Sequence, residues 1–171
     1  QATAVSGLSI APATTDLSSS DVDLVAHGKR TMVLKMSIDN LLKNNKKFDY
    51  IIIDCPPALS LLTINAFVAS DSVLVPLQTE FFALEGLSQL ILTIKEVRGT
   101  WNKKIKIQGV VLTMYDKRNN LSVQIEEDVR ENLGKLVYDT VIPRNVRLSE
   151  APSFSVPALL YDHKCAGSIA Y

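Results

Sequence analysis

The chain has 171 residues, with 18 Lys+Arg balanced by 18 Asp+Glu and 47% hydrophobic residues. Such a length and composition describe a globular chain with a sizeable core and exclude intrinsic disorder. A formal net charge of zero excludes a global basic field, so any nucleic-acid binding needs a local patch. Two cysteines (Cys55, Cys165) and two histidines (His27, His163) support neither a zinc cluster nor a disulfide framework, and a reduced cytosol is the expected compartment. No apolar run approaches the roughly 18 residues that cross a bilayer, and no secretory signal opens the chain. The first residue is Gln1 and the last, Tyr171, falls in what reads as a helix start, so a piece of a longer protein is expected.

In chain order the pattern predicts a strand over Leu8–Pro12 and a polar loop over Thr14–Asp21. A helix follows over Lys29–Asn44, with Met32, Leu34, Met36, Ile38, Leu41 and Leu42 as a loose apolar stripe. Next come a strand over Tyr50–Asp54, a short apolar helix over Leu61–Ala69 and a strand over Ser72–Pro76. Leu84, Leu87, Leu90, Ile91, Ile94 and Val97 keep helical spacing and predict a helix over Leu84–Trp101. A strand over Ile107–Thr113 precedes a helix over Leu121–Leu133, with Asn119 or Asn120 as its cap and Gly134 at its end. The last strand is Val137–Ile142. Strands alternating with helices predict βαβ units, hence one α/β domain over residues 1–171 with a mostly parallel sheet and helices on both faces. Ile51-Ile52-Ile53 and Val110-Val111-Leu112 are apolar on consecutive residues, the pattern of strands buried on both faces.

The sharpest local feature is Phe48–Pro57 (FDYIIIDCPP): an apolar strand ending in Asp54, stopped at once by two prolines. A carboxylate at the carboxyl end of such a strand has the Walker B pattern and can hold Mg²⁺ through water beside a nucleotide's phosphates. It can equally be a cap or turn former. The glycine loop GxxxxGK[ST] that cradles phosphates does not occur in the sequence, and neither does GxGxxG. On motifs alone, the chain carries half of a nucleotide site.

Five blocks resemble the ParA/Soj-type chromosome-partition ATPases of the MinD/ParA superfamily: Phe48–Pro57, Leu61–Ala66 (LLTINA), Phe81–Ser88 (FFALEGLS), Leu112–Asp116 (LTMYD) and Val141–Ser153 (VIPRNVRLSEAPS). They occur in family order across nearly the whole chain, and Leu8–Ala13 with Asp23-Leu24 is similar to the segment preceding Walker B. The resemblance implies a truncated P-loop NTPase-like fold whose deviant P-loop lies N-terminal to Gln1 and whose final helix, beginning near Gly167, is cut off. It implies ATP and Mg²⁺ as cofactors, a homodimer formed on ATP, a ParB-type partner and non-specific DNA, in the cytoplasm at the nucleoid and without a membrane. This chain alone is expected not to hydrolyse ATP.

Carried over residue by residue, the resemblance makes Asp54 the Walker B aspartate orienting the Mg²⁺ and its water shell. Pro143 and Asn145 border the adenine, and Met114 packs on the base. The plain readings are a turn for Pro143 and Asn145 and a core filler for Met114. Arg118, Arg144 and Arg147, with Lys117 nearby, are the candidate DNA contacts, against the reading of solvated surface arginines. Phe81-Phe82 is either a dimer anchor or an ordinary strand-to-helix contact. Lys103, Lys104 and Lys106 beside Trp101 read as a solvated turn, and Cys55 is assigned no nucleophilic role. Two other readings compete: a MinD-like membrane-site ATPase, and a P-loop-less, non-enzymatic regulatory module.

Overall fold

The computed structural model describes residues 1–17, 24, 28–44 and 48–171. Ser18–Asp21 of the expected polar loop, Asp23 and His27 lie outside the described residues. Two compact units form, Gln1–Ala69 and Ser70–Tyr171.

In the first unit the expected strand over Leu8–Pro12 is not formed. One isolated antiparallel bridge pairs Ala2 with Ser9, and the Gln1 ammonium donates to the Ile10 carbonyl at 2.8 Å. A tight local loop thus satisfies these backbone groups in place of a ladder. The expected strand over Tyr50–Asp54 is not formed either, and Ile52 is 92% exposed rather than buried on two faces. The physical reason is that a strand exists only as a paired object, and among the described residues no ladder includes this segment. Apolar residues set its potential for burial, but pairing decides it.

Helix α1 runs Val33–Lys43 and helix α2 runs Leu61–Ala69. The first begins four residues later than its expected start at Lys29, because residues 28–32 form turns closed by the Met32 amide on the Lys29 carbonyl. The two helices pack together, and a buried side chain stitches them. Asn65 donates to the Arg30 carbonyl at 2.7 Å and the Leu61 carbonyl at 3.0 Å, and accepts from the Leu34 amide at 3.3 Å. Its amide is therefore satisfied on both ends, as burial of a polar group demands.

The second unit holds a three-stranded parallel sheet in the order β1 (Ser72–Gln78), β2 (Lys106–Tyr115), β3 (Val137–Pro143). Helix α3 (Ala83–Thr100) connects β1 to β2, and α4 (Asn120–Leu133) connects β2 to β3. Pro76 sits inside β1, which tolerates the missing N–H because β1 is an edge of this sheet among the described residues. The register sets Val75 opposite Val110 and Leu77 opposite Leu112, with Val137 beside Val110. That row packs against Leu87 of α3 and against Ile125 and Val129 of α4, forming the core.

Caps and turns fix the rest. The Asn119 side chain accepts from the Leu121 amide at 3.0 Å to cap α4, and Gly134 ends it with a φ of 52° that favours glycine. Asn102 donates to the Ser70 carbonyl at 2.7 Å, and Arg98 donates to the Ile105 carbonyl at 2.8 Å. The lysine-rich segment after Trp101 is thus a tied turn. At the other end of β1, buried Thr79 and Ser122 share hydroxyl hydrogen bonds that join the strand end to the first turn of α4.

Beyond β3 lie three short helices, α5 (Val146–Glu150), α6 (Ala158–Tyr161) and α7 (Ala166–Ala170), with a 3-10 turn over Ala151–Phe154. Among the described residues no helix is long and apolar enough to cross a membrane.

Leu112 is 0% exposed at the middle of the central strand. Leu112→Ala should destabilise the fold by about 3 kcal/mol through lost burial and a residual cavity; urea denaturation checks this, and a loss below about 1 kcal/mol would show the row is not the core.

Candidate functional site

Parallel strands place all their carboxyl ends at one edge of the sheet, the place where open α/β folds bind ligands. Gln78 pairs with Thr113, and Tyr115 pairs with Pro143. The Arg144 amide extends that pairing by donating to the Tyr115 carbonyl at 3.0 Å. Met114, Tyr115, Asp116, Pro143, Arg144 and Asn145 therefore meet at one edge, although Tyr115 and Asn145 stand far apart along the chain. Asp54 belongs to the first unit.

Three backbone details shape this edge. Met114 holds φ at +53°, a left-handed conformation that an L side chain adopts at a cost of about 1–2 kcal/mol. Strain of this kind concentrates at functional sites, and here it falls inside β2, where the ladder to β3 shifts register between Leu112 and Tyr115, with the Met114 side chain partly exposed. Pro143 is the last residue of β3 rather than a loop residue. Asn145 is extended at φ −144° and caps α5, its side-chain oxygen accepting from the Arg147 amide at 2.9 Å. The left-handed turn that asparagine also suits is not used there, and the cap leaves the Asn145 side-chain NH₂ available to donate.

The arginines are held by carboxylates, which the sequence reading did not single out. Arg118 grips Asp116 with two parallel bonds, Nε to Oδ1 at 2.9 Å and Nη2 to Oδ2 at 2.8 Å. The Arg118 amide also donates to Asp116 Oδ1 at 3.0 Å. The Asp116 carboxyl is consequently lowered to about 2, first by the Arg118 side-chain hydrogen bond, then by the amide, with the charges of Arg118 and Arg144 adding. Even so paired, the Arg118 side chain is 86% exposed.

Arg147 donates from Nη1 to Glu150 Oε2 at 3.0 Å, and its Nε lies 3.6 Å from Asp162 Oδ2. The Tyr161 hydroxyl also donates to Glu150 Oε2 at 3.1 Å, so this cluster ties α5 to α6. The sequence signals were present: an Asp two residues before Arg118, where an Asx turn forms, and a Glu three residues after Arg147, on the same helix face.

The remaining candidates divide. Asp54 is exposed, and among the described residues no group of three or more His, Cys, Asp or Glu could hold a metal by itself. A single carboxylate suits Mg²⁺ that keeps most of its water and takes its other ligands from phosphates. Burial, and then the Asp54 charge, push the Cys55 thiol up, so it stays protonated and is a poor nucleophile. Phe81 and Phe82 pack edge to face on each other at 5.2 Å and remain 73% and 76% exposed. Phe82 also lines an apolar cavity of about 300 Å³ with Val75, Leu77, Leu87 and Leu90. A second cavity, about 470 Å³ between Arg130 and Asp139, contains none of the candidate residues.

Comparison with known proteins decides the family. A family model described as an AAA domain matches residues 1–107. The chain is 55% identical over 169 residues to the chromosome partitioning protein ParA of Caulobacter vibrioides, covering 99% of this chain and 63% of that protein. It is 49% identical over 171 residues to the sporulation initiation inhibitor protein Soj of Bacillus subtilis, covering 100% of this chain and 66% of the relative. The chain belongs to the ParA/Soj family of chromosome-partitioning ATPases.

As a ParA/Soj-family chain it thus spans about two thirds of the length of these relatives. Its fold matches a Mycobacterium smegmatis structure described as cobyrinic acid a,c-diamide synthase with bound ATP analog and magnesium. That match has a TM-score of 0.74 at 34% identity and covers 94% of this chain and 57% of the other. The cell division ATPase MinD of Pyrococcus furiosus matches with a TM-score of 0.65 at 25% identity, over 82% of this chain and 54% of the other. The parallel α/β sheet of the ParA/Soj chain is therefore the P-loop NTPase-like one.

An Asp whose folded pKa lies below its unfolded value of about 3.9 stabilises the fold fully above that value and loses the contribution as pH falls through the folded one. The Asp116–Arg118 clasp should thus persist at pH 4 and open as pH falls through about 2. A carboxyl-carbon NMR titration checks it, and a midpoint near 4 would show that Arg118 does not hold Asp116 in solution.

Proposed function

We propose that this chain is the part of a partition ATPase that contacts the base and the DNA. In this reading Met114, Pro143 and Asn145 border the adenine of ATP, and Arg118, Arg144 and Arg147 bind DNA phosphates without sequence preference. Asp54 orients the water shell of a Mg²⁺ ion. A second copy docks on ATP, with Phe81 and Phe82 as exposed anchors, and a ParB-type partner stimulates turnover at the nucleoid in the cytoplasm.

The observation that carries the reading is the edge itself. The register that pairs Tyr115 with Pro143 gathers a strained Met114, an Asn145 with an available NH₂ and two exposed arginines at the carboxyl ends of parallel strands. Chemically these groups suit their parts. An amide can hydrogen-bond a base edge, and a thioether packs on a flat ring. Guanidinium groups pair with phosphate oxygens and release counterions from DNA. When bound, Mg²⁺ supplies charge stabilisation to phosphoryl transfer, which is mostly positioning and electrostatics. Asp54 is the carboxylate that would hold it through water. ATP analog and magnesium in the mycobacterial relative support this choice of ligands.

Two expected outcomes test the reading in the intact protein. Wild-type retention on random-sequence duplex DNA should fall steeply with salt, and Arg118→Ala should weaken it about five- to tenfold and flatten the salt slope by about one. Arg118→Ala binding as wild type at every salt concentration would remove the DNA assignment. Asp54→Ala should abolish Mg²⁺-dependent ATP turnover; a wild-type rate would falsify the metal assignment.

A further inference from the structure

Arg118 is exposed and paired at once. It is 86% exposed, yet its guanidinium is committed on one side to Asp116 through Nε and Nη2. The other side, Nη1 and the second Nη2 hydrogen, faces outward with donors to spare. Asp116 also lies within electrostatic reach of Arg144, which the Tyr115–Pro143 pairing brings to the same edge. Lys117, Arg118 and Arg144 make this edge cationic, and Asp116 is the carboxylate set among them.

We propose that Asp116 is a positioning residue that sets the strength of phosphate binding at this edge, holding Arg118 aimed outward while subtracting one charge from the patch. The inference rests on the DNA reading above. Both effects follow from one geometry. The two parallel bonds fix a side chain that would otherwise lose rotamer freedom on binding. The same carboxylate lies within a Debye length of any phosphate to which Arg118 donates, so salt at physiological strength does not hide its repulsion. The result is an edge that binds DNA in a defined orientation but releases it readily. Arg147 repeats the device, with Glu150 and Asp162 opposing its charge.

The test separates charge from fold. Asp116→Asn keeps one oxygen to accept from the Arg118 amide and Nε while removing the charge and the oxygen that accepts from Nη2; Asp116→Ser keeps a single hydroxyl acceptor and likewise removes the charge if the first variant folds poorly. Affinity of the intact protein for a random-sequence 30-mer duplex is measured by fluorescence anisotropy across a salt series, alongside Arg118→Ala. The neutral variant should bind about three- to fivefold tighter near physiological salt and show a slope of log affinity against log salt steeper by up to about 0.9. A merely structural role for Asp116 would weaken binding and leave the slope unsteepened. Arg118→Ala weakened while Asp116→Asn binds no tighter than wild type overturns this inference and leaves the DNA reading intact. Arg118→Ala and Asp116→Asn both unchanged from wild type overturns the DNA reading and this inference with it.

Discussion

The pairing of β2 with β3 is the constraint on which the second unit depends. It buries Val110 and Val137 in one row, and further along the same ladder it sets Tyr115 beside Pro143. Because the ladder is parallel, burying the apolar row and aligning the strand ends are one event. A one-residue slip would turn Leu112 to the opposite face and break the hydrogen bond from the Arg144 amide to the Tyr115 carbonyl. The core thereby fixes the geometry of the edge, and α3 and α4 hold the row in place from one side.

Charge at that edge is arranged in opposition rather than in excess. A formally neutral chain cannot attract DNA from a distance by its overall field. It concentrates cations where strands end and then partly cancels them, Asp116 against Arg118 and Glu150 with Asp162 against Arg147. Exposed ion pairs of this sort add little to stability. In the proposed reading they control what the arginines can do. The Arg147 cluster has an additional structural part, since Glu150 also accepts from Tyr161 and so links two of the short helices.

Membership of the ParA/Soj family gives these features a common setting. The relatives are longer than this chain, and the first unit carries an apolar segment, residues 50–54, with no ladder among the described residues. Its Ile52 is almost fully exposed, an unusual state for an isoleucine between two others. The second unit, by contrast, forms a three-stranded sheet, a core and a buried hydroxyl pair within residues 70–171.

Local physics alone determined a good deal. Helical spacing placed α2 and α3 within a residue of their observed ends, Asn119 was legible as a cap, and the three C-terminal strands were visible as β-rich apolar runs. The blocks that resemble the family were legible too, because they are contiguous. Strands at Leu8–Pro12 and Tyr50–Asp54 were expected and did not form, because a strand's hydrogen bonds lie in another segment and no local pattern reports whether that segment is there. For the same reason the register of β2 on β3 and the positive φ of Met114 were decided only in three dimensions, where pairing and packing outweigh local preference. The sequence named the arginines; tertiary structure alone showed Asp162 meeting Arg147 from outside its helix and Arg144 acting on Asp116, since charge interactions depend on distance in space and not along the chain.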